Sequence, residues 1–195
     1  MKLVLATSNK GKVREIKALY KDYEVIPYSE LIEEFEIIED GNTFKENALI
    51  KARAVFNALN DKDIVVIADD SGISVDILNG APGIYSARYA GIEANDKDNL
   101  HKLIYDIKNK GATSSPAHYT AAIAIVTSKS EFSVYGWMYG TALTEIKGEK
   151  GFGYDPIFIP NGYDKTLGEL DDDVKQKLSH RSKALSLAKN ILKTL

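Results

Sequence analysis

The run Ile64-Val65-Val66-Ile67-Ala68 sets five apolar residues, four of them β-branched, directly against Asp69-Asp70-Ser71-Gly72. An uninterrupted apolar run of this kind has no solvent face and is expected as a central strand, covered on both sides. Two adjacent carboxylates at the end of such a strand are costly without partners. Strand ends are also where α/β proteins place their ligands. A turn would use Asp, Ser and Gly for their backbone preferences, but one Asp would serve it, so the second points to a site.

The neighbouring segments fit an α/β chain. Leu3–Ala6 reads as a short buried strand, and Val13, Ile16, Leu19 and Tyr20 follow at helical spacing. Tyr23–Pro27 is a second strand. Thr43–Leu59 is the clearest helix, opened by the capping box Thr43-x-x-Glu46 and carrying the apolar face Phe44, Ala48, Ala52, Val55, Phe56 and Leu59. Ile73, Val75 and Ile77 alternate toward an Asn79-Gly80 turn. Further helices are expected around Leu100–Ile107, over Asp171–Leu178 and over Ser182–Leu195. Two long strands, His118–Thr127 and Phe132–Met138, are joined by a polar turn, and Gly148–Gly153 is a glycine-rich loop. Alternating strands and helices followed by hairpin-like strands favour an α/β fold with a mixed sheet, read as a single domain over 1–195.

Composition narrows the chemistry. There is no cysteine, which excludes disulfides, zinc-thiolate sites, iron–sulfur clusters and thiol nucleophiles. The three histidines, His101, His118 and His180, are too scattered for a multi-histidine zinc site. The net charge of −3 disfavours a general nucleic-acid binder. No apolar run approaches a membrane span, and Met1–Ala6 is too short for a signal peptide, so a cytoplasmic protein is expected.

Five segments can carry chemistry. Thr7-Ser8-Asn9-Lys10-Gly11-Lys12 lies between a strand and a helix, where backbone N–H groups and Lys12 suit a phosphate; the plainer reading is an N-cap with a solvated lysine. It is not a Walker A loop, since the first glycine is missing and Val13 follows Lys12. Asp69-Asp70 beside such a site suggests Mg²⁺, which takes oxygen ligands from one or two carboxylates and from phosphates. Thr43, Asn47 and Lys51 share a helix face away from the core stripe. Glu46 is accounted for by its cap, whereas Glu39, before the helix, is the better second metal ligand; Lys51 can also be read as merely solvated. Gly151-Phe152-Gly153-Tyr154-Asp155-Pro156 can present an aromatic to a base or simply make a tight turn. Lys175 and Ser179-His180-Arg181 place cations at the start of the last helix, against its dipole, which suits a nearby anion.

Together, LATSNKGKVREI (5–16), EDGNTFKENALIKA (39–52), ADDSGISVDILNGAPGIYSARYAG (68–91), GFGYDPIF (151–158) and LSHRSKAL (178–185) resemble the inosine triphosphate pyrophosphatase family, in family order and over nearly the whole chain. The resemblance implies an elongated mixed β-sheet flanked by helices, in two lobes with a central active-site cleft, an ITPase-like, Maf-like fold. It implies a homodimer that hydrolyses purine nucleoside triphosphates such as dITP, ITP and XTP at the α-phosphorus, with Mg²⁺. By motif, Thr7, Ser8, Asn9, Lys10, Gly11 and Lys12 hold phosphates, and Lys51 joins the substrate site. Asp70 is the catalytic carboxylate and a metal ligand, Glu39 is a metal-site carboxylate, and Ser71 contacts substrate. Phe152, Gly153, Tyr154, Asp155, Lys175, His180 and Arg181 match the nucleotide- and base-binding positions. Gly168 stands where relatives often carry Ala and is expected to weaken a helix there. Two readings compete: a pyrophosphatase for modified pyrimidine or methylated nucleotides, and a sensor that binds phosphates without turnover.

Overall fold

The structure is a computed structural model that describes residues 2–195; the side chain of Lys10 lies outside the described part. Its elements are β1 (Lys2–Leu5), α1 (Lys10–Leu19), β2 (Glu24–Pro27), α2 (Phe44–Leu59), β3 (Ile64–Val75), α3 (Asp96–Asn109), β4 (Ser114–Val126), β5 (Glu131–Leu143), β6 (Phe158–Pro160), α4 (Asp172–Leu178) and α5 (His180–Leu192). The sheet order is β2-β1-β3-β4-β5-β6. β1 pairs parallel with β2 and β3, and β5 pairs antiparallel with β6, so the sheet is mixed as expected.

The chain divides into two compact units: Met1–Asp70, Ala121–Gly136 and Arg181–Leu195 form one, and Ser71–Thr120 with Trp137–His180 the other. β3 passes from the first to the second between Asp70 and Ser71.

In the first unit the strands are buried on both faces, and the period-two pleat sorts their residues. Leu3, Leu5, Val65, Ile67, Ala121, Ile123 and Ile125 pack with Ile16 of α1 and with Ala184, Leu185, Ala188 and Leu192 of α5. Val4, Ala6, Ile64, Val66, Ala68, Ala122 and Ala124 pack instead with Ala48, Ala52 and Val55 of α2. Even and odd positions therefore face different helices, which is why the run at 64–68 shows no alternation. In the second unit Ile73 and Val75 of β3 join Leu100, Leu103, Ile104 and Ile107 of α3, Tyr119 of β4, Met138 of β5 and Phe158 in a single core.

Two expectations change. β3 does not stop at Ala68; it runs on through Asp69–Gly72 to Val75. Gly72 makes this possible, because a side chain there would collide with the Gly83 carbonyl oxygen and with Ser86. The Asn79-Gly80 turn does follow, with both residues at positive φ. Gly168 lies in a turn, not a helix. A Cβ at that position would stand 2.7 Å from the Lys147 carbonyl oxygen and 2.9 Å from the Pro156 Cα. Packing selects the glycine, and helix propensity has no bearing on it. The short β6 gave no pattern strong enough to read.

Candidate active site

The pleat of β3 decides what Asp69 and Asp70 can do. As neighbours on a strand they point to opposite faces. Asp69 shares the face of Val65 and Ile67, toward α1 and α5; Asp70 shares that of Val66 and Ala68, toward α2. They do not form one two-carboxylate ligand set.

Asp69 is almost fully buried. Lys12 Nζ of α1 lies 3.1 Å from its Oδ1, and Arg181 Nε of α5 donates to its Oδ2 at 3.0 Å. Arg181 Nη1 also donates to Glu15 of α1 at 3.1 Å. Burial alone would raise the Asp69 pKa, but the fields of Lys12, Arg181 and Lys51 outweigh it and hold the carboxyl well below the ordinary carboxylate range. This group is internally neutral: two carboxylates against two cations. The anion expected near Arg181 is supplied by the chain's own Asp69 and Glu15.

Asp70 sits in a different balance. Lys51 of α2 bridges it to Glu39, with Nζ 3.0 Å from Asp70 Oδ1 and 2.8 Å from Glu39 Oε2. Two carboxylates share one ammonium, so the trio carries one net negative charge. Asp70 Oδ2 is buried and makes no hydrogen bond. Burial and the Glu39 charge push the Asp70 pKa up, and Lys51 and Lys12 only partly offset them. Lys51, disfavoured as a cation by burial, is held protonated by Asp70 and Glu39, its pKa raised overall. A half-satisfied carboxylate beside a second one can offer oxygen ligands to a hard cation and can accept a proton.

The α1 N-terminus is capped from within. Asn9 Oδ1 accepts from the N–H groups of Gly11 at 2.9 Å and Lys12 at 3.1 Å, and Thr7 Oγ1 accepts from the Asn9 N–H at 3.2 Å. A phosphate using these N–H groups must displace the side chains. Ser8 and Asn9 are exposed and Lys12 is partly exposed. The Lys10 side chain is outside the described residues.

The remaining predicted residues, Arg181 apart, belong to the second unit. Ser71 follows Asp70 on β3 and is half-buried. Phe152 is 69% exposed, on a turn whose Gly151 and Gly153 both have positive φ. Asp155 Oδ2 closes that turn by accepting from the Phe152 N–H at 3.3 Å, and the buried Tyr154 donates from its hydroxyl to the Ser86 carbonyl at 2.7 Å. Lys175 pairs with Asp172 at 2.9 Å in α4. His180 lies flat against Tyr119, with ring centroids 4.9 Å apart and planes 14° from parallel; Tyr119 meets Phe158 edge-on.

Sequence reasoning passed over Glu15, Tyr119 and the separate role of Asp69. Counting alternate residues along 64–70 would have separated the two aspartates, and Glu15 lies one helical turn from Lys12. No local signal couples Tyr119 to His180.

A mixed sheet with helices on both faces of its parallel part, and a carboxylate–lysine cluster where the central strand leaves that part, defines an α/β protein with charged groups at a strand end, where such folds commonly seat ligands. The chain belongs to the Ham1 family, whose sequence profile matches residues 3–191. It is 72% identical over 199 aligned residues, covering 100% of both chains, to a Sulfurimonas denitrificans protein named dITP/XTP pyrophosphatase. The Staphylococcus aureus Ham1 protein has the same fold, with TM-score 0.90 and 40% identity over 100% of this chain and 99% of that one. A HAM1 protein from Coxiella burnetii also gives TM-score 0.90, at 34% identity over 100% of both chains. The family and the fold class expected from the motif segments are borne out. Among the described residues no helix is long and apolar enough to cross a membrane.

Proposed function

We propose that this chain hydrolyses deaminated purine nucleoside triphosphates (dITP, ITP and XTP) to the monophosphate and pyrophosphate, acting as one catalytic domain over residues 1–195. The observation that carries the reading is the Glu39–Lys51–Asp70 cluster with its buried, unpartnered Asp70 oxygen. The similarity to the Sulfurimonas protein supports the substrate class.

Among the described residues no three His, Cys, Asp or Glu gather into a metal-ligand group. Mg²⁺ does not require one, because it commonly takes one or two carboxylates and completes its shell with water and substrate phosphates. Glu39 and Asp70 fit that role: both are hard oxygen donors, and one oxygen lacks any partner. When bound, Mg²⁺ supplies neutralisation of phosphate charge. Lys12, Lys51 and the start of α1 bind and orient the triphosphate. Asp70, its proton affinity raised by burial, accepts the proton of the attacking water. The water oxygen bonds to the α-phosphorus, the bond to the bridging oxygen breaks, and pyrophosphate leaves. Ser71 contacts the substrate beside Asp70. Phe152, Gly153, Tyr154, Asp155, Lys175 and His180 are assigned to the nucleotide, whereas Arg181, engaged by Asp69 and Glu15, is left a structural role. Hypoxanthine and xanthine present an acceptor oxygen where adenine presents a donor amine, so donors there favour the former.

A nucleotide panel with product identification tests this. Pyrophosphate is expected from dITP and XTP on the order of 100-fold faster than from dATP, and a chelator is expected to stop the reaction. Orthophosphate as product, equal turnover of all nucleotides, or turnover that survives chelation overturns it. The panel also separates the modified-pyrimidine reading.

The same reading places the enzyme in the cytoplasm as a homodimer. Trp137 and Tyr139, 42% and 57% exposed on β5, supply an aromatic patch of the kind that interfaces use. Sedimentation at micromolar concentration is expected to give twice the 21.5 kDa chain mass, and a monomer removes the claim.

A further inference from the structure

Asn47 stands out because an ordinary core helix has no use for it. It is fully buried in the first turn of α2, next to Ala48, where an apolar residue would pack and a better helix former would serve. Its Nδ2 is buried without a hydrogen-bond partner. What the side chain does is reach out of the helix: Oδ1 accepts from the Gly41 N–H at 2.9 Å. Gly41 is packed so closely against it that a Cβ there would stand 2.7 Å from Asn47 Oδ1 and 2.7 Å from Glu46 Cβ. The next residue is fastened too, its Asn42 N–H donating to Glu46 Oε2 at 2.6 Å. One helical turn beyond Asn47, on the same face, Lys51 Nζ donates to Glu39 Oε2.

Glu39 sits in a stretch without regular secondary structure, so nothing in a strand or helix fixes its carboxylate. We propose that Asn47 is a positioning residue: by clamping the Gly41 amide to α2 it holds the Glu39 carboxylate at Lys51, beside Asp70. The proposal rests on the reading of Glu39 as a metal-site carboxylate and adds the group that sets its place. Partners that orient a metal ligand commonly change metal affinity by about 10- to 100-fold when removed.

The test titrates Mn²⁺ calorimetrically into the full-length protein with a non-hydrolysable α,β-imido analogue of ITP, alongside the Mg²⁺ concentration for half-maximal turnover. Asn47→Ala keeps a good helix former in α2 and is expected to weaken Mn²⁺ binding about 10-fold or more, with the helical circular-dichroism signal retained. Gly41→Ala attacks the same contact from the other side and is expected to weaken binding likewise. In a Glu39→Gln background Asn47→Ala is expected to add little, because the two residues act through one carboxylate. A merely structural asparagine would lower the melting temperature and leave the metal affinity alone. Mn²⁺ affinity within twofold of wild type in Asn47→Ala overturns the proposal, and so does an equal further loss in the Glu39→Gln background. If Glu39→Gln itself leaves Mn²⁺ binding unchanged, the metal reading of Glu39 fails first and the positioning role falls with it.

Discussion

Asp70→Asn is expected to cut turnover of dITP by about 10³-fold or more, within the range for loss of a positioned general base, while the protein stays folded. Asparagine has nearly the same shape and keeps an oxygen for Lys51. It gives up a charge that burial and Glu39 already disfavour, as the raised Asp70 pKa records. The melting temperature should therefore hold within a few degrees or rise. Asp69→Asn is the informative contrast, because that carboxylate is stabilised as an anion by Lys12 and Arg181. Asparagine there should cost stability and leave part of the activity. Full hydrolysis by Asp70→Asn would mean that the proton goes elsewhere and that the residue is only structural.

The largest expected loss of stability comes from Arg181→Ala. Arg181 is 5% exposed, and its guanidinium serves both Asp69 and Glu15. Removing one partner of a buried ion pair commonly costs about 3–5 kcal/mol, because the remaining charge stays desolvated. A fall of that size in unfolding free energy, read from urea titration, is the expected result, and a loss below about 1 kcal/mol would deny the cluster a structural role. Adding Asp69→Asn to Arg181→Ala should recover part of the loss. The pH dependence follows from the depressed Asp69 pKa. Its stabilisation is complete above the unfolded value near pH 4 and is lost as pH falls toward the lower folded value. Arg181→Ala should therefore lose much of its penalty in acid.

Most of the fold was legible because its signals are local. The Thr43 cap and the apolar face of α2 appear as expected, although Glu46 reaches back to the Asn42 N–H and not to Thr43. The two strands around the 127–130 turn are present, with β4 starting four residues before His118 and β5 running five residues past Met138. The course of β3 was not legible, because polar Asp69–Gly72 looks like a strand end. Only the buried contacts of Asp69 and the missing side chain of Gly72 let the strand continue. For the site, the family motifs led to Glu39, Lys51 and Asp70, which the structure brings together. Arg181 looked like a cation waiting for a ligand, since the carboxylates that neutralise it are 112 and 166 residues away in the chain. Neither charge run nor periodicity reports a pairing at such separations.

The odd–even sorting along β3 has a consequence for how this chain can change length. One residue inserted between Ile64 and Asp69 would slide the downstream strand by a single step, carrying Asp69 to the place of Asp70 and Ala68 to the place of Asp69. Lys12 and Arg181 would then meet a methyl group in place of their carboxylate, and Asp70 would be carried away from Lys51. Deletions and insertions are thus far more harmful inside these few positions than most point changes, while the polar Asp61–Asp63 bend just upstream can absorb them.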